Sequence, residues 1–208
     1  MTGGREEVAQ KPPSIPLDGF PIAELSVVDT LWRAHGSANT PGWFSSSGEG
    51  RFDLAAPSGT CYLADSMGAA IRERLGGAIT PGGLVTQSDA EGMTVTEIAG
   101  LTGSYGDVSA QGAADFGVTS ELTSMTPYTV PHEWAAAFSS YGLHGIRYTP
   151  RFTPGAVAWA LFGQAGAHDV GTTFAALDGV TACGEAGLKI LPGPPSASSL
   201  TVKKRPSR

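Results

Sequence analysis

Two stretches of this chain carry apolar residues at helical spacing, and glycine ends each of them within about three turns. In the first, Met67, Ala70, Ile71 and Leu75 recur on one face, Asp65 or Ser66 can cap the start, and Gly76-Gly77 stops the run. In the second, Pro131 suits an opening turn, the run continues to Tyr141, and Gly142 closes it. Helices this short leave most of 208 residues, 29 Gly and 15 Pro among them, to short strands, turns and long connections.

The strand signals sit beside the helices. Thr60–Ala64 runs straight into the first helix, and Gly145–Thr149 follows the second and ends at Pro150. Val157–Phe162 is a further strand, with weaker candidates at Met93–Ile98 and Leu188–Leu191. No internal repeat is present, so the expectation is one mixed α/β (α+β) domain around a mixed sheet. Its bounds are read as 22–191. Residues 1–21 are polar and proline-rich and read as a flexible arm. Residues 192–208, with Lys203, Lys204 and Arg205, read as a flexible basic tail. The stretch from Gly100 to Tyr128, low in charge and rich in Gly, Ser and Thr, reads as a long loop or lid.

Charge narrows the function. A net charge of −6 and a pI near 5.1 repel the phosphate backbone, which argues against direct nucleic-acid binding. Between Lys11 and Lys189 there is no lysine, and the cations of the centre are Arg33, Arg51, Arg72, Arg74, Arg147 and Arg151. Guanidinium offers a planar fork of donors suited to phosphate or carboxylate. Cys61 and Cys183 are far apart and lie in no metal-ligand spacing, so neither a metal site nor a disulfide framework is expected. No run approaches the ~20 apolar residues of a membrane span, and a cytoplasmic protein is expected.

Three segments hold the candidate chemistry: Leu31-Trp32-Arg33-Ala34-His35, Gly48-Glu49-Gly50-Arg51-Phe52, and the stretch from Cys61 to Glu73 with Tyr62 in its strand. At ~100° per residue Glu73 lies roughly 130° from the centre of the apolar helix face, so the core does not claim it.

In this order the segments resemble the RES family. Its opening arginine motif is similar to Leu31–His35, its GxGRF segment to Gly48–Phe52, and its YLA strand and glutamate helix to Tyr62 through Glu73. Its GIRY-x-SR stretch is similar to Gly145–Phe152, and its closing strand to Val157–Gly163. The family's serine falls on Pro150, which has neither hydroxyl nor backbone N–H. Thr149 is the nearest hydroxyl, one position early, which in a strand is the opposite face.

The resemblance implies a fold related to ADP-ribosyltransferases and an enzyme that degrades NAD+ by hydrolysis or phosphorolysis, held inactive by an antitoxin with a Xre-type DNA-binding domain. Glu73 and Arg33 would be catalytic. Arg33 and Arg51 would pin the pyrophosphate, and Tyr62 would stack on the nicotinamide or close the pocket, with Tyr148, Thr149 and Arg151 as further substrate contacts. NAD+ would be consumed as substrate with no resident cofactor, in keeping with the absence of a dinucleotide-binding glycine fingerprint. Two alternatives stand beside this reading: a catalytically impaired RES-like domain that binds a nucleotide or partner, and an enzyme that transfers ADP-ribose to protein.

Overall fold

The computed structural model describes residues 9–193. In chain order the elements are β1 (Ile22–Leu25), β2 (Thr30–Gly36), β3 (Trp43–Phe44), β4 (Ser58–Ala64), α1 (Met67–Leu75), β5 (Leu84–Thr86), α2 (Gln87–Glu91), β6 (Met93–Ala99), β7 (Gly103–Asp107), α3 (Thr129–Ser140), β8 (Gly145–Tyr148), β9 (Ala158–Gln164), β10 (Gly166–Ala167), β11 (Thr172–Asp178), α4 (Gly179–Glu185) and β12 (Lys189–Leu191). Eight strands form one sheet in the order β1-β7-β8-β9-β4-β2-β6-β11. This is the mixed α/β domain that the pattern of short elements implied.

Strand alternation divides the core between the two sheet faces. Along β9, Ala158 and Ala160 join the cluster under α3, with Phe52, Trp134, Phe138 and Ile146. Trp159 and Leu161 point the other way, to Leu31, Cys61, Leu63 and Tyr105. Further along the sheet, Ile71 of α1 meets Val85, Val95 and Cys183 in a third cluster. Helix α1 starts where the Ser66 side chain accepts a hydrogen bond from Ala69 N (3.3 Å) and ends at Gly76, whose φ of +50° suits glycine.

Among the described residues the only parallel pair in the large sheet is β7 with β8. Parallel neighbours need a long crossover, and residues 108–144, with α3 inside them, supply it. The expected lid over Gly100–Tyr128 is therefore corrected. The stretch contains strand β7 and short 3₁₀ turns, and it buries Tyr105, Val108, Ala113, Val118 and Leu122.

The expected arm at 1–21 is corrected from Gln10 onward. The Gln10 side chain is buried, donating to the Gly117 carbonyl (3.1 Å) and accepting from Thr119 N (2.7 Å). Trp134 Nε1 donates to the Lys11 carbonyl (2.9 Å). Leu17 and Phe20 are core residues, Phe20 lying edge-on to Phe138 at 4.8 Å between ring centroids. The polar composition of the segment masks these two apolar anchors. Residues 1–8 of the expected arm, and all of the expected tail beyond Gly193, lie outside the described residues. Among the described residues no helix is long and apolar enough to cross a membrane.

Candidate active site

The sheet comes apart at its centre, and that is where the cleft forms. Strands β2 and β4 share one backbone pair, Trp32 with Ala64, whereas β4 pairs with β9 at every residue from Ser58 to Ala64. The cleft, about 420 Å³, is lined by Arg33, His35 and Gly36 of β2, Thr60 and Tyr62 of β4, the loop from Ser45 to Asp53, Ala70, Glu73 and Arg74 of α1, and Tyr128, Tyr148 and Phe152. A volume in this range suits a small-molecule ligand.

Glu73 projects from the last turn of α1. Its Oε1 accepts a hydrogen bond from Phe152 N (2.6 Å), which ties the loop after β8 to the helix. Burial pushes its carboxyl above the ordinary carboxylate range, and the Phe152 N–H and the nearby Arg51 and Arg151 guanidinium groups pull in the opposite direction without cancelling the rise. Ala70, Glu73 and Arg74, spaced three and four apart, form one stripe of α1 facing the cleft.

Arg51 is buried, stacked over the Tyr128 ring at 4.7 Å from its centroid and donating from Nη1 to the Met125 carbonyl (2.7 Å). Its loop turns on Asp53, a buried carboxylate. Asp53 Oδ2 accepts from Gly50 N (3.0 Å), Gly48 N (3.1 Å) and the Ser47 hydroxyl (3.2 Å), and Oδ1 accepts from the Tyr62 hydroxyl (2.9 Å). The Tyr62 oxygen in turn accepts from Phe52 N (2.8 Å), and burial and the adjacent carboxylate hold its phenol well above the ordinary value. Tyr62 thus presents its ring to the cleft with its hydroxyl turned inward. From α3, His132 Nε2 donates to the Gly50 carbonyl (2.8 Å). A side chain at Gly50 would collide with Asp53 Oδ1 and lie 2.6 Å from the Tyr62 oxygen, so glycine is required there.

Arg33 is placed differently from the expectation of a free pyrophosphate clamp. Its guanidinium donates to the Pro41 carbonyl (2.6 Å), to the Trp43 carbonyl and to Cys61 Sγ, holding the loop between β2 and β3. Burial lowers its pKa and raises that of the Cys61 thiol. Next to it, His35 Nδ1 donates to the Gly36 carbonyl (3.1 Å) and Nε2 lies 3.0 Å from the Thr96 hydroxyl; burial lowers the pKa of its imidazole.

Three further residues expected to contact the substrate lie in or after β8. Tyr148 is buried on the cleft wall, edge-on to Phe52 at 5.1 Å between centroids, and its phenol is pushed up by burial and by Glu73. Thr149 is off the cleft: its hydroxyl is 3.1 Å from that of Ser109. Arg151 is exposed and does not line the cleft; its guanidinium stacks 5.4 Å from the Phe152 centroid. Sequence reasoning missed Asp53, Tyr128, His132 and Arg74 as parts of this site. Asp53 stands two residues after Arg51, and Arg74 directly follows Glu73, so position was the available signal. Tyr128 and His132 reach the site only through the crossover.

A mixed α/β domain with a cleft walled by arginine, tyrosine and one desolvated glutamate defines a class of protein that can hold a small anionic ligand. The RES domain model matches residues 30–186, and the chain belongs to this family. No curated protein matches the chain. Among solved structures, the fold is similar to a chain of the M. tuberculosis MbcT-MbcA toxin-antitoxin complex, with a TM-score of 0.56 and 14% identity over 72% of this chain and 83% of that one.

Proposed function

We propose that this RES-domain protein is a toxin-like enzyme that degrades NAD+ by breaking the nicotinamide–ribose bond, and that an antitoxin protein covers it in the cell. The observation that carries the reading is the half-buried Glu73 carboxylate on the wall of a cleft that Arg51 also lines. Family membership and the fold likeness to a toxin-antitoxin complex support it.

Cleaving the bond builds positive charge on the ribose as neutral nicotinamide leaves, and the Glu73 carboxylate stabilises that charge. An oxygen of water or phosphate then bonds to the ribose carbon; with water, the displaced proton passes to Glu73 or to solvent. Tyr62 and Tyr148 supply flat walls for the rings. The test is nicotinamide release from NAD+ by purified protein, with and without inorganic phosphate. Release establishes the enzyme, a phosphate requirement identifies phosphorolysis, and label retained on protein from NAD+ indicates transfer of ADP-ribose.

One observation favours a second reading, binding without turnover. Where the family has serine this chain has Pro150, and the neighbouring Thr149 hydroxyl is engaged with Ser109 away from the cleft. Tight binding of ADP-ribose with no nicotinamide release would select it, and gain of release in Pro150→Ser would trace the deficit to this position.

A further inference from the structure

A guanidinium free to bind a ligand's phosphates should have unengaged donors, an open position and no carboxylate holding it. Arg33 meets none of the first two conditions. It alternates along β2 with Trp32 and Ala34, which pack toward α1, and so projects to the other face of the sheet, where it grips Cys61 and two loop carbonyls. Arg74 meets all three. It is exposed, it lines the cleft one residue beyond Glu73, and its Nη2 lies 3.6 Å, and Asn39 Nδ2 3.7 Å, from the point a Gly36 side chain would occupy. The one ion pair among the described residues joins Arg147 to Asp107 elsewhere. Glu49, the remaining exposed acid on the cleft wall, makes no ion pair with it.

We propose that Arg74, with the Asn39 amide beside it, seats the phosphate groups of the ligand, and that Arg33 is a positioning residue that braces the β2–β3 loop. This rests on the reading of the cleft as a dinucleotide site. It also divides the labour of the cleft: Arg51 and Glu73 serve the reacting ribose, and Arg74 and Asn39, at the end of the cleft marked by Gly36, anchor the phosphates by charge-assisted hydrogen bonds.

The experiment is calorimetric titration of ADP-ribose, and of adenosine as a phosphate-free control, into wild type, Arg74→Gln and Arg33→Lys, with a melting curve for each. Arg74→Gln should weaken ADP-ribose by at least about tenfold, leave adenosine affinity unchanged and leave Tm unchanged. Arg33→Lys should lower Tm, because an ammonium cannot reproduce the planar set of donors to the loop. Equal ADP-ribose affinity in wild type and Arg74→Gln overturns the assignment of Arg74 and leaves the NAD+ reading standing. Binding that depends on Arg74 without nicotinamide release from NAD+ sustains the phosphate seat and removes the enzymatic reading. Failure of wild type to bind ADP-ribose at millimolar concentration overturns both.

Discussion

Glu73 sits between burial, which favours the neutral acid, and the Phe152 N–H, Arg51 and Arg151, which favour the anion; burial wins and the carboxyl titrates above its usual range. If the anion is the working form, kcat/KM for nicotinamide release falls as pH drops through this raised pKa, so the acid limb lies at higher pH than for an ordinary glutamate. Glu73→Gln keeps an oxygen to accept from Phe152 N, so Tm should change little while release falls by about 10²- to 10⁴-fold and the acid limb disappears. Full activity in this variant would remove Glu73 from the mechanism. Asp53 gives the opposite signature. Asp53→Ala leaves the Gly48 and Gly50 N–H groups and the Tyr62 hydroxyl without their acceptor, and should cost at least about 1–3 kcal/mol in urea denaturation. At this scale the sequence made the direction of Glu73 legible, because a helical wheel needs only local geometry. It could not show that the donors of Arg33 are engaged, because the Pro41 and Trp43 carbonyls reach it only when the loop folds back.

Helix α1 is the element that sets the site, since it carries Ala70, Glu73 and Arg74 on one stripe. Its start depends on the Ser66 cap, and Ser66→Ala should cost about 1 kcal/mol. For a domain of this size that is a fall in Tm of about 2–4 °C, readable by circular dichroism; an unchanged Tm would mean that the cap contributes nothing. Elements with strong local signals were legible: α1, α3, β4, β6, β8, β9 and β12 lie within a few residues of their expected places. Strands β7 and β11 were not. In β7, Gly106 gives up side-chain packing so that Phe138 can lie against it, and a Cβ there would be 2.8 Å from the Phe138 ring. Strand β11 is an edge exposed along almost its whole length, with Phe174 65% exposed, so it shows no buried alternation to read. Strand β2 was not expected either, and the split between it and β4 was equally hidden, because it is a matter of which backbone groups pair.

Across the whole molecule the net charge of −6 does not decide what the cleft attracts: Arg33, Arg51 and Arg74 line it beside Glu49, Asp53 and Glu73, so the pull on an anionic ligand depends on which of these groups is left unengaged. The fold is also closed by a segment whose composition reads as an arm. Phe20 fills the space among Phe116, Trp134 and Phe138, with its ring centroid 4.9 Å from that of Phe116 and 6.2 Å from that of Trp134. These rings belong to the crossover that carries Tyr128 and His132 to the cleft, so the segment before β1 supports the site from behind. Phe20→Ala should cost about 3–5 kcal/mol, as expected for removing a buried aromatic ring. At ~2–4 °C per kcal/mol that is a fall in Tm of roughly 6–20 °C. A flexible arm predicts no change at all, so thermal denaturation of this single variant distinguishes a docked segment from a loose one.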